Sequence, residues 1–178
     1  YGIQSGIHCQ ATGTGKSYLI INDIDYIWRH VNNKCKIILF TERINILKDL
    51  FGFIRDHDNI NVLDMWKEKG IGDLTQFLII NRVTEKTYDW VDILNNHDGP
   101  ALVVINRAFL TSAKSKHQEI KNLDAIIFDE CHSSTSPKCH DFLIHWKERN
   151  TAIIGYSATP LRAGETQGQF NKELLLEI

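Results

Sequence analysis

The feature of this sequence that most restricts its fold is a set of short runs in which almost every residue is apolar and many are β-branched. Each run has the length of a single strand, and none alternates apolar with polar positions. A strand that is apolar on both sides suits a parallel sheet covered by helices on both faces, whereas a half-exposed strand would alternate. Four runs of this kind occupy residues 36–41, 101–106, 123–128 and 151–156.

Longer segments with helical periodicity lie between these runs. Residues 16–31 and 43–55 repeat apolar side chains every three or four positions, and 142–149 is a shorter candidate. Alternation of strands with helices predicts an α/β fold built on a mostly parallel sheet with helices on both faces. In such folds the ligand lies beyond the carboxyl ends of the strands, so that edge is where we look for a site.

The segment 57–98 is harder to interpret. Residues 88–94 favour a helix, while 77–80 fits either a strand or part of a helix. No repeat or linker interrupts the chain, and 178 residues fit one compact domain. We therefore predict a single domain over residues 1–178, and the lack of an initiator Met indicates a piece of a longer protein.

Composition limits the partners that the chain can attract. The formal net charge is −2, so no global positive field draws the chain to nucleic acid, and any such contact must come from a local patch. No apolar run approaches the roughly 18 residues of a membrane span, so we expect no membrane partner. The four cysteines are too scattered for a secreted disulfide framework, which favours reduced thiols and an intracellular location in cytoplasm or nucleus.

The segment Gln10-Ala11-Thr12-Gly13-Thr14-Gly15-Lys16-Ser17 has the pattern of a phosphate-binding loop, placed between an apolar stretch and a helix. Its glycines allow successive N–H groups to point inward as an anion nest at the positive end of the helix. Lys16 would reach the β- and γ-phosphates, and the Ser17 hydroxyl would ligate Mg²⁺. The strict pattern has Gly where Gln10 stands, so a plain turn followed by a surface lysine is the alternative.

Two carboxylates, Asp129 and Glu130, come directly after the third apolar run. If that run is a parallel strand, it carries Asp129 to the same edge of the sheet as the phosphate loop. Asp129 could then hold Mg²⁺ through water, and Glu130 could orient and deprotonate the attacking water in phosphoryl transfer. A plain charged strand end is the alternative, and the pairing with Lys16, 113 positions earlier, argues against it.

These residues together resemble the superfamily 2 helicases and translocases. Asp129-Glu130-Cys131-His132 is similar to their DExH box, and residues 10–17 are similar to their motif I. Ser157-Ala158-Thr159, 28 positions after Asp129, resembles motif III, the Ser-Ala-Thr segment. The resemblance implies a RecA-like domain that uses ATP and Mg²⁺, with hydrolysis taking place between this domain and a second RecA-like domain of the same polypeptide.

The resemblance also implies a role for each matched position. The positions that contact nucleotide or metal are Thr12, Gly13, Thr14, Gly15, Lys16, Ser17 and Asp129, with Ser17 and Asp129 at the metal. The catalytic set is Lys16, Asp129 and Glu130, with Glu130 as the base. The positions that couple nucleotide state to nucleic-acid binding are His132, Ser157 and Thr159.

Three further residues are candidates for contact with a nucleic-acid backbone. Thr41 and Arg43 stand where motif Ia is expected, and Arg107 stands in a segment that resembles motif Ib more loosely. For the two arginines a solvated surface side chain is an equally good interpretation.

The chain looks most similar to the restriction-enzyme-like branch, which includes DNA translocases and helicases of large DNA viruses. If the chain comes from such a virus, we expect the protein at the viral replication site. We therefore expect an ATP-dependent helicase, with DNA favoured over RNA. A duplex DNA translocase that does not separate strands is one alternative, and a P-loop ATPase or kinase that acts on small molecules is another. A binding module that kept the fold without catalysis fits less well, because Lys16, Asp129 and Glu130 are all present.

Overall fold

The computed structural model describes residues 3–42, 58–82, 89–131 and 136–158. Within these ranges, six strands form one sheet in which every neighbouring pair is parallel. The order across the sheet is β1-β6-β5-β2-β4-β3. The strands are β1 (Gly6–Cys9), β2 (Lys36–Thr41), β3 (Leu78–Asn81), β4 (Ala101–Asn106), β5 (Ala125–Asp129) and β6 (Ala152–Ser157).

The four apolar runs are the inner strands β2, β4, β5 and β6, which confirms their prediction. Successive side chains of a strand point to opposite faces, and here both faces are covered. In β2, Ile38 and Phe40 join the apolar cluster on one face, whereas Ile37 and Leu39 join the cluster on the other. Burial on both sides is the physical reason that these strands are apolar throughout.

Helices follow the strands as the alternating pattern predicts. The predicted helix at 16–31 is observed as α1, and the one at 43–55 lies outside the described residues. The helices are α1 (Lys16–His30), α2 (Asp58–Glu68), α3 (Trp90–Asn96), α4 (Arg107–Leu110) and α5 (Pro137–Lys147), with single 3₁₀ turns at Ala113–Ser115 and His117–Glu119.

The segment 57–98 contains one run that the sequence left ambiguous and one predicted helix. Residues 78–81 form a strand, β3, at the sheet edge beside β4, and a run of four residues is too short for periodicity to distinguish strand from helix. The helix expected near 88–94 begins at Trp90, because the Asp89 side chain accepts a hydrogen bond from the backbone N–H of Asp92 and so caps it.

The helix predicted at 142–149 begins earlier than its apolar residues indicate. It starts at Pro137, whose fixed φ suits the first helical position, and the Ser136 side chain accepts from the Cys139 N–H as the N-cap. The Ser-Pro pair was the signal for this boundary.

All six carboxyl ends lie along one edge of the sheet, here called the carboxyl edge, because every strand runs in the same direction. Residues that directly follow the strands therefore gather there from distant parts of the sequence. In the described ranges, no helix has the length and apolar character needed to cross a membrane.

Candidate functional site

The loop that joins β1 to α1 has the backbone shape of an anion-binding nest. Gly13 and Gly15 have φ of 80° and 87°, in the left-handed region that glycine adopts without strain. Gly15 is the N-cap of α1, with no capping side chain and no acidic residue in the first turn. The Tyr18 N–H donates to the Gly15 carbonyl oxygen at 2.9 Å, whereas the N–H groups of Lys16 and Ser17 precede the first helical hydrogen bond and have no carbonyl of an earlier helical turn to bond. They and the helix dipole therefore favour an anion at this point.

Hydrogen bonds from Thr14 and Gln10 hold the loop in this shape. The Thr14 hydroxyl donates to the Ala11 carbonyl oxygen at 2.7 Å, which closes the loop on itself. The Gln10 N–H donates to the Ser157 carbonyl oxygen at 2.9 Å, which ties the beginning of the loop to the end of β6. Two of the segments that the sequence singled out, the phosphate loop and the start of the Ser-Ala-Thr segment, are thus directly bonded.

Asp129 and Glu130 lie at the carboxyl end of β5. Asp129 is the last residue of that strand and is buried, with 8% of its surface exposed. Glu130 follows in the left-handed region with φ of 55°, which is uncommon for a residue with a side chain. This turn ends the strand and changes the direction of the chain immediately after Asp129.

The structure brings the phosphate loop and the acidic pair together. The Lys16 ammonium lies 3.4 Å from Glu130 Oε1, although 114 positions separate the two residues. Both side chains are largely buried, with 11% and 21% of their surface exposed. The contact spans β6, which lies between β1 and β5 in the sheet. Ser17, adjacent to Lys16 in the first turn of α1, is half-buried.

Cys131 anchors the acidic turn in the core. Its thiol is buried, and the pKa of that thiol is raised to about 12 by burial first and then by the nearby Glu130 and Asp129 carboxylates. A thiol with this pKa stays protonated at neutral pH, so Cys131 has a packing role here rather than that of a thiolate nucleophile. It packs against Gly155 of β6, where an added Cβ would lie 3.1 Å from the sulfur.

A polar cluster that the sequence did not reveal connects β6 to α1. The Tyr156 hydroxyl donates to Asp23, and His8 Nε2 lies 3.5 Å from the same carboxylate. The His8 ring is stacked on Tyr156, with centroids 4.8 Å apart and planes 8° from parallel. Burial first, and then the Asp23 carboxylate, raises the pKa of Tyr156, which stays a neutral donor. Strand register pairs His8 with Tyr156, and the packing of α1 adds Asp23, so no local motif could have identified the cluster.

The candidate nucleic-acid residues Thr41 and Arg107 lie farther along the carboxyl edge, at the ends of β2 and β4. Thr41 is 1% exposed, so its side chain contributes no free surface in this structure. Arg107 forms an ion pair with Glu42, and Asn106 Nδ2 donates to the Glu42 carbonyl oxygen at 3.1 Å. Glu42 therefore offsets the positive charge of Arg107 that would attract a phosphate backbone.

Arg82, which sequence reasoning missed, lies near the same part of the edge, directly after β3. Its guanidinium lies 4.5 Å from the centre of the Phe109 ring. His132, Thr159 and Arg43, which the sequence also singled out, lie outside the described residues.

The chain was compared with known proteins. Residues 4–162 match the family described as type III restriction enzyme, res subunit. The chain belongs to this family. The family match and the parallel sheet together identify a helicase-like ATPase domain of superfamily 2. This confirms the resemblance stated from the sequence and the RecA-like fold. No curated protein sequence matches the chain.

Solved structures agree on the fold. The UvsW helicase from bacteriophage T4 superposes with a TM-score of 0.53 at 14% identity, over 94% of this chain and 51% of that one. A nuclease-deletion mutant of the Type ISP restriction-modification enzyme LlaGI, solved with a DNA substrate mimic, gives 0.56 at 15% identity, over 90% of this chain and 16% of that one. The chain thus spans about half of the phage helicase and a smaller share of the restriction enzyme.

Proposed function

We propose that this res-subunit domain binds Mg²⁺·ATP at the carboxyl edge and hydrolyses it to drive the unwinding of nucleic acid, with DNA favoured over RNA. The observation that supports this most is the 3.4 Å approach of Lys16 to Glu130, since it places a phosphate-binding ammonium beside a carboxylate that can act as a base. A structural role alone would not require a glycine loop with an uncapped helix end at the same point.

Each residue has one task in this proposal. The N–H groups of the loop at residues 12–17 and the Lys16 ammonium bind the phosphates, and Lys16 then exchanges its contact with Glu130 for one with ATP. Glu130 orients the attacking water and accepts its proton. Ser17 and Asp129 supply the hydroxyl and carboxylate oxygens that Mg²⁺ prefers. The metal, when bound, neutralises phosphate charge.

Coupling to nucleic acid would pass through the end of β6. The Ser157 carbonyl oxygen accepts a hydrogen bond from the start of the phosphate loop. A shift of the loop on nucleotide binding would therefore displace Ser157 directly. We propose that Ser157, together with His132 and Thr159, transmits this shift, and that Arg43 and Arg107 contact the DNA backbone. Contact by Arg107 requires its ion pair with Glu42 to open.

An ATPase assay of the full-length protein with single-stranded and duplex DNA and RNA tests the proposal. Lys16→Ala should abolish nucleotide binding, whereas Glu130→Gln should bind ATP with near-normal affinity and turn it over at least about 100-fold more slowly. Lys34→Ala is the matched control, because Lys34 is an exposed lysine paired with Asp98 away from the loop. Equal turnover by Glu130→Gln and the parent would overturn the proposed base.

Translocation along duplex DNA without strand separation is the second candidate, and the res-subunit family match favours it. Displacement of a third strand from a triplex reports translocation, and displacement of one strand from a forked duplex reports unwinding. Triplex displacement without unwinding would establish the translocase. ATP turnover unchanged by any nucleic acid would instead favour an ATPase that acts on small molecules.

A further inference from the structure

One aromatic ring stands exposed at the rim of the phosphate loop. Among the described residues, the two tyrosines with most of their surface exposed are Tyr18 and Tyr26, at 54% and 58%. Both lie on α1, but Tyr18 is in its first turn, two residues after Lys16. Tyr26 is eight residues further on, about 12 Å along the helix axis and away from the loop.

The position of the Tyr18 ring is fixed from two sides. Its edge lies over Gly15, where an added Cβ would be 3.2 Å from Tyr18 Cδ2. The ring also contacts the buried indole of Trp66 on α2 edge-on, with centroids 6.0 Å apart and an angle of 61°. The Tyr18 hydroxyl makes no hydrogen bond to any residue that the structure describes. The ring is therefore held in place by packing while much of its surface stays open to solvent.

We propose that Tyr18 is the platform on which the base of the bound nucleotide stacks. This rests on the proposed function, because it requires the triphosphate to occupy the loop at residues 12–17. A base is joined to its phosphates through one ribose only, so it must lie beside the loop rather than at a distance from it. A rigid, partly exposed aromatic ring at that rim supplies the flat apolar surface that a base needs.

Stacking on Tyr18 has a consequence for specificity. Every base has an aromatic face, so a stacking platform holds adenine and guanine with similar strength. Tyr18 therefore contributes affinity for purine nucleoside triphosphates as a class, and selection of ATP over GTP must come from groups that reach the edge of the base.

Calorimetric titration of this chain with Mg·ATP, Mg·GTP and Mg·tripolyphosphate tests the proposal, since tripolyphosphate fills the loop without a base. Tyr18→Ala should raise the Kd for ATP and for GTP by about 5- to 30-fold and leave the Kd for tripolyphosphate unchanged. Tyr18→Phe should bind all three like the parent. Tyr26→Ala is the matched control, and it should also bind all three normally.

The outcomes separate this inference from the proposed function. Equal weakening of ATP and tripolyphosphate by Tyr18→Ala would show that Tyr18 only supports the loop through Gly15, which overturns the stacking role and leaves the loop assignment intact. The half-exposed His8 ring is the competing platform, so selective loss of ATP affinity in His8→Ala but not in Tyr18→Ala would also overturn it. ATP binding that survives Lys16→Ala would overturn the proposed function itself.

Discussion

Gly155 lies in the middle of β6 at a point where its neighbours leave little room for a side chain. An added Cβ would lie 3.1 Å from the Cys131 sulfur and 3.2 Å from both the Cys131 Cβ and the Phe128 ring. These two residues flank Asp129 and Glu130 in sequence. A methyl group at position 155 therefore presses on the turn that carries the acidic pair.

We expect Gly155→Ala to lower the free energy of unfolding by about 1–3 kcal/mol through overpacking. Urea denaturation measures the change. Gly6→Ala on β1 is the control, because a Cβ at Gly6 meets nothing within 4 Å. Equal stability of the two variants would show that Cys131 yields without cost.

His117 gives the fold a dependence on pH. Its ring packs edge-on against Phe142, with centroids 4.8 Å apart, and against His145 at 5.7 Å. Burial first and then His145 lower the pKa of His117 to about 4. Burial and then Arg149 lower the pKa of His145, so its contribution has the same sign.

Because the pKa of an unfolded His is about 6.5, the unfolded chain binds the proton first as the pH falls. We expect the stability from His117 to be complete above about pH 6.5 and to decline until about pH 4, below which His117 adds no further change. Urea midpoints measured across this range should fall less steeply in His117→Phe than in the parent. His30→Gln, at an exposed position, should follow the parent, and a slope unchanged by His117→Phe would contradict the assignment.

The residues of the site differ in how far sequence alone could identify them. Lys16 and Glu130 belong to local patterns that each follow the end of a strand. Their proximity could therefore be predicted once a parallel sheet was predicted. The ion pair of Arg107 with Glu42 and the bond of Tyr156 to Asp23 join residues 65 and 133 positions apart outside any motif. Such pairs depend on side-chain packing after the sheet has formed, which periodicity does not encode.

Among the elements, α5 is the helix whose starting point is set most clearly by its first residues. Ser136 accepts from the Cys139 N–H and Pro137 begins the helix, while Cys139, Phe142, Leu143 and Trp146 are buried. The helix thus has both an end cap and a buried face. Apolar spacing predicted the face, and only the Ser-Pro pair marks the beginning.

Ser136→Ala should destabilise the protein by about 1 kcal/mol, because the N–H groups at the start of α5 lose an acceptor. A shift of the thermal midpoint measures this. Ser136→Asp keeps an acceptor and should restore the parent midpoint. If alanine and aspartate gave the same midpoint, the cap would contribute nothing.

At the scale of the whole molecule, the chain spans about half of the phage helicase that it resembles in fold. We propose that a second RecA-like domain completes the site with an arginine that stabilises charge on the γ-phosphate. Such arginines accelerate hydrolysis by about 10³ to 10⁵ where they have been measured. By these proposals, the single domain holds the catalytic base Glu130 and the phosphate loop but lacks that arginine.

We therefore expect residues 1–178 alone to hydrolyse ATP at least about 10³-fold more slowly than the full-length protein. Single-turnover rates with DNA present measure the ratio. Full-length Glu130→Gln sets the background of the assay. A fragment as fast as the full-length protein would show that one domain carries the complete catalytic set.

The strand order has a final consequence for partly unfolded states. With β6 between them, β1 and β5 stand two strand spacings apart, roughly 10 Å, and the contact of Lys16 with Glu130 joins the helix that follows β1 to the turn that follows β5. β6 thus sets the distance across the site. In any state in which β6 frays, the Lys16 and Glu130 side chains separate while the phosphate loop and the acidic turn stay folded. Catalytic competence should therefore disappear with the amide protection of β6, before the rest of the sheet melts.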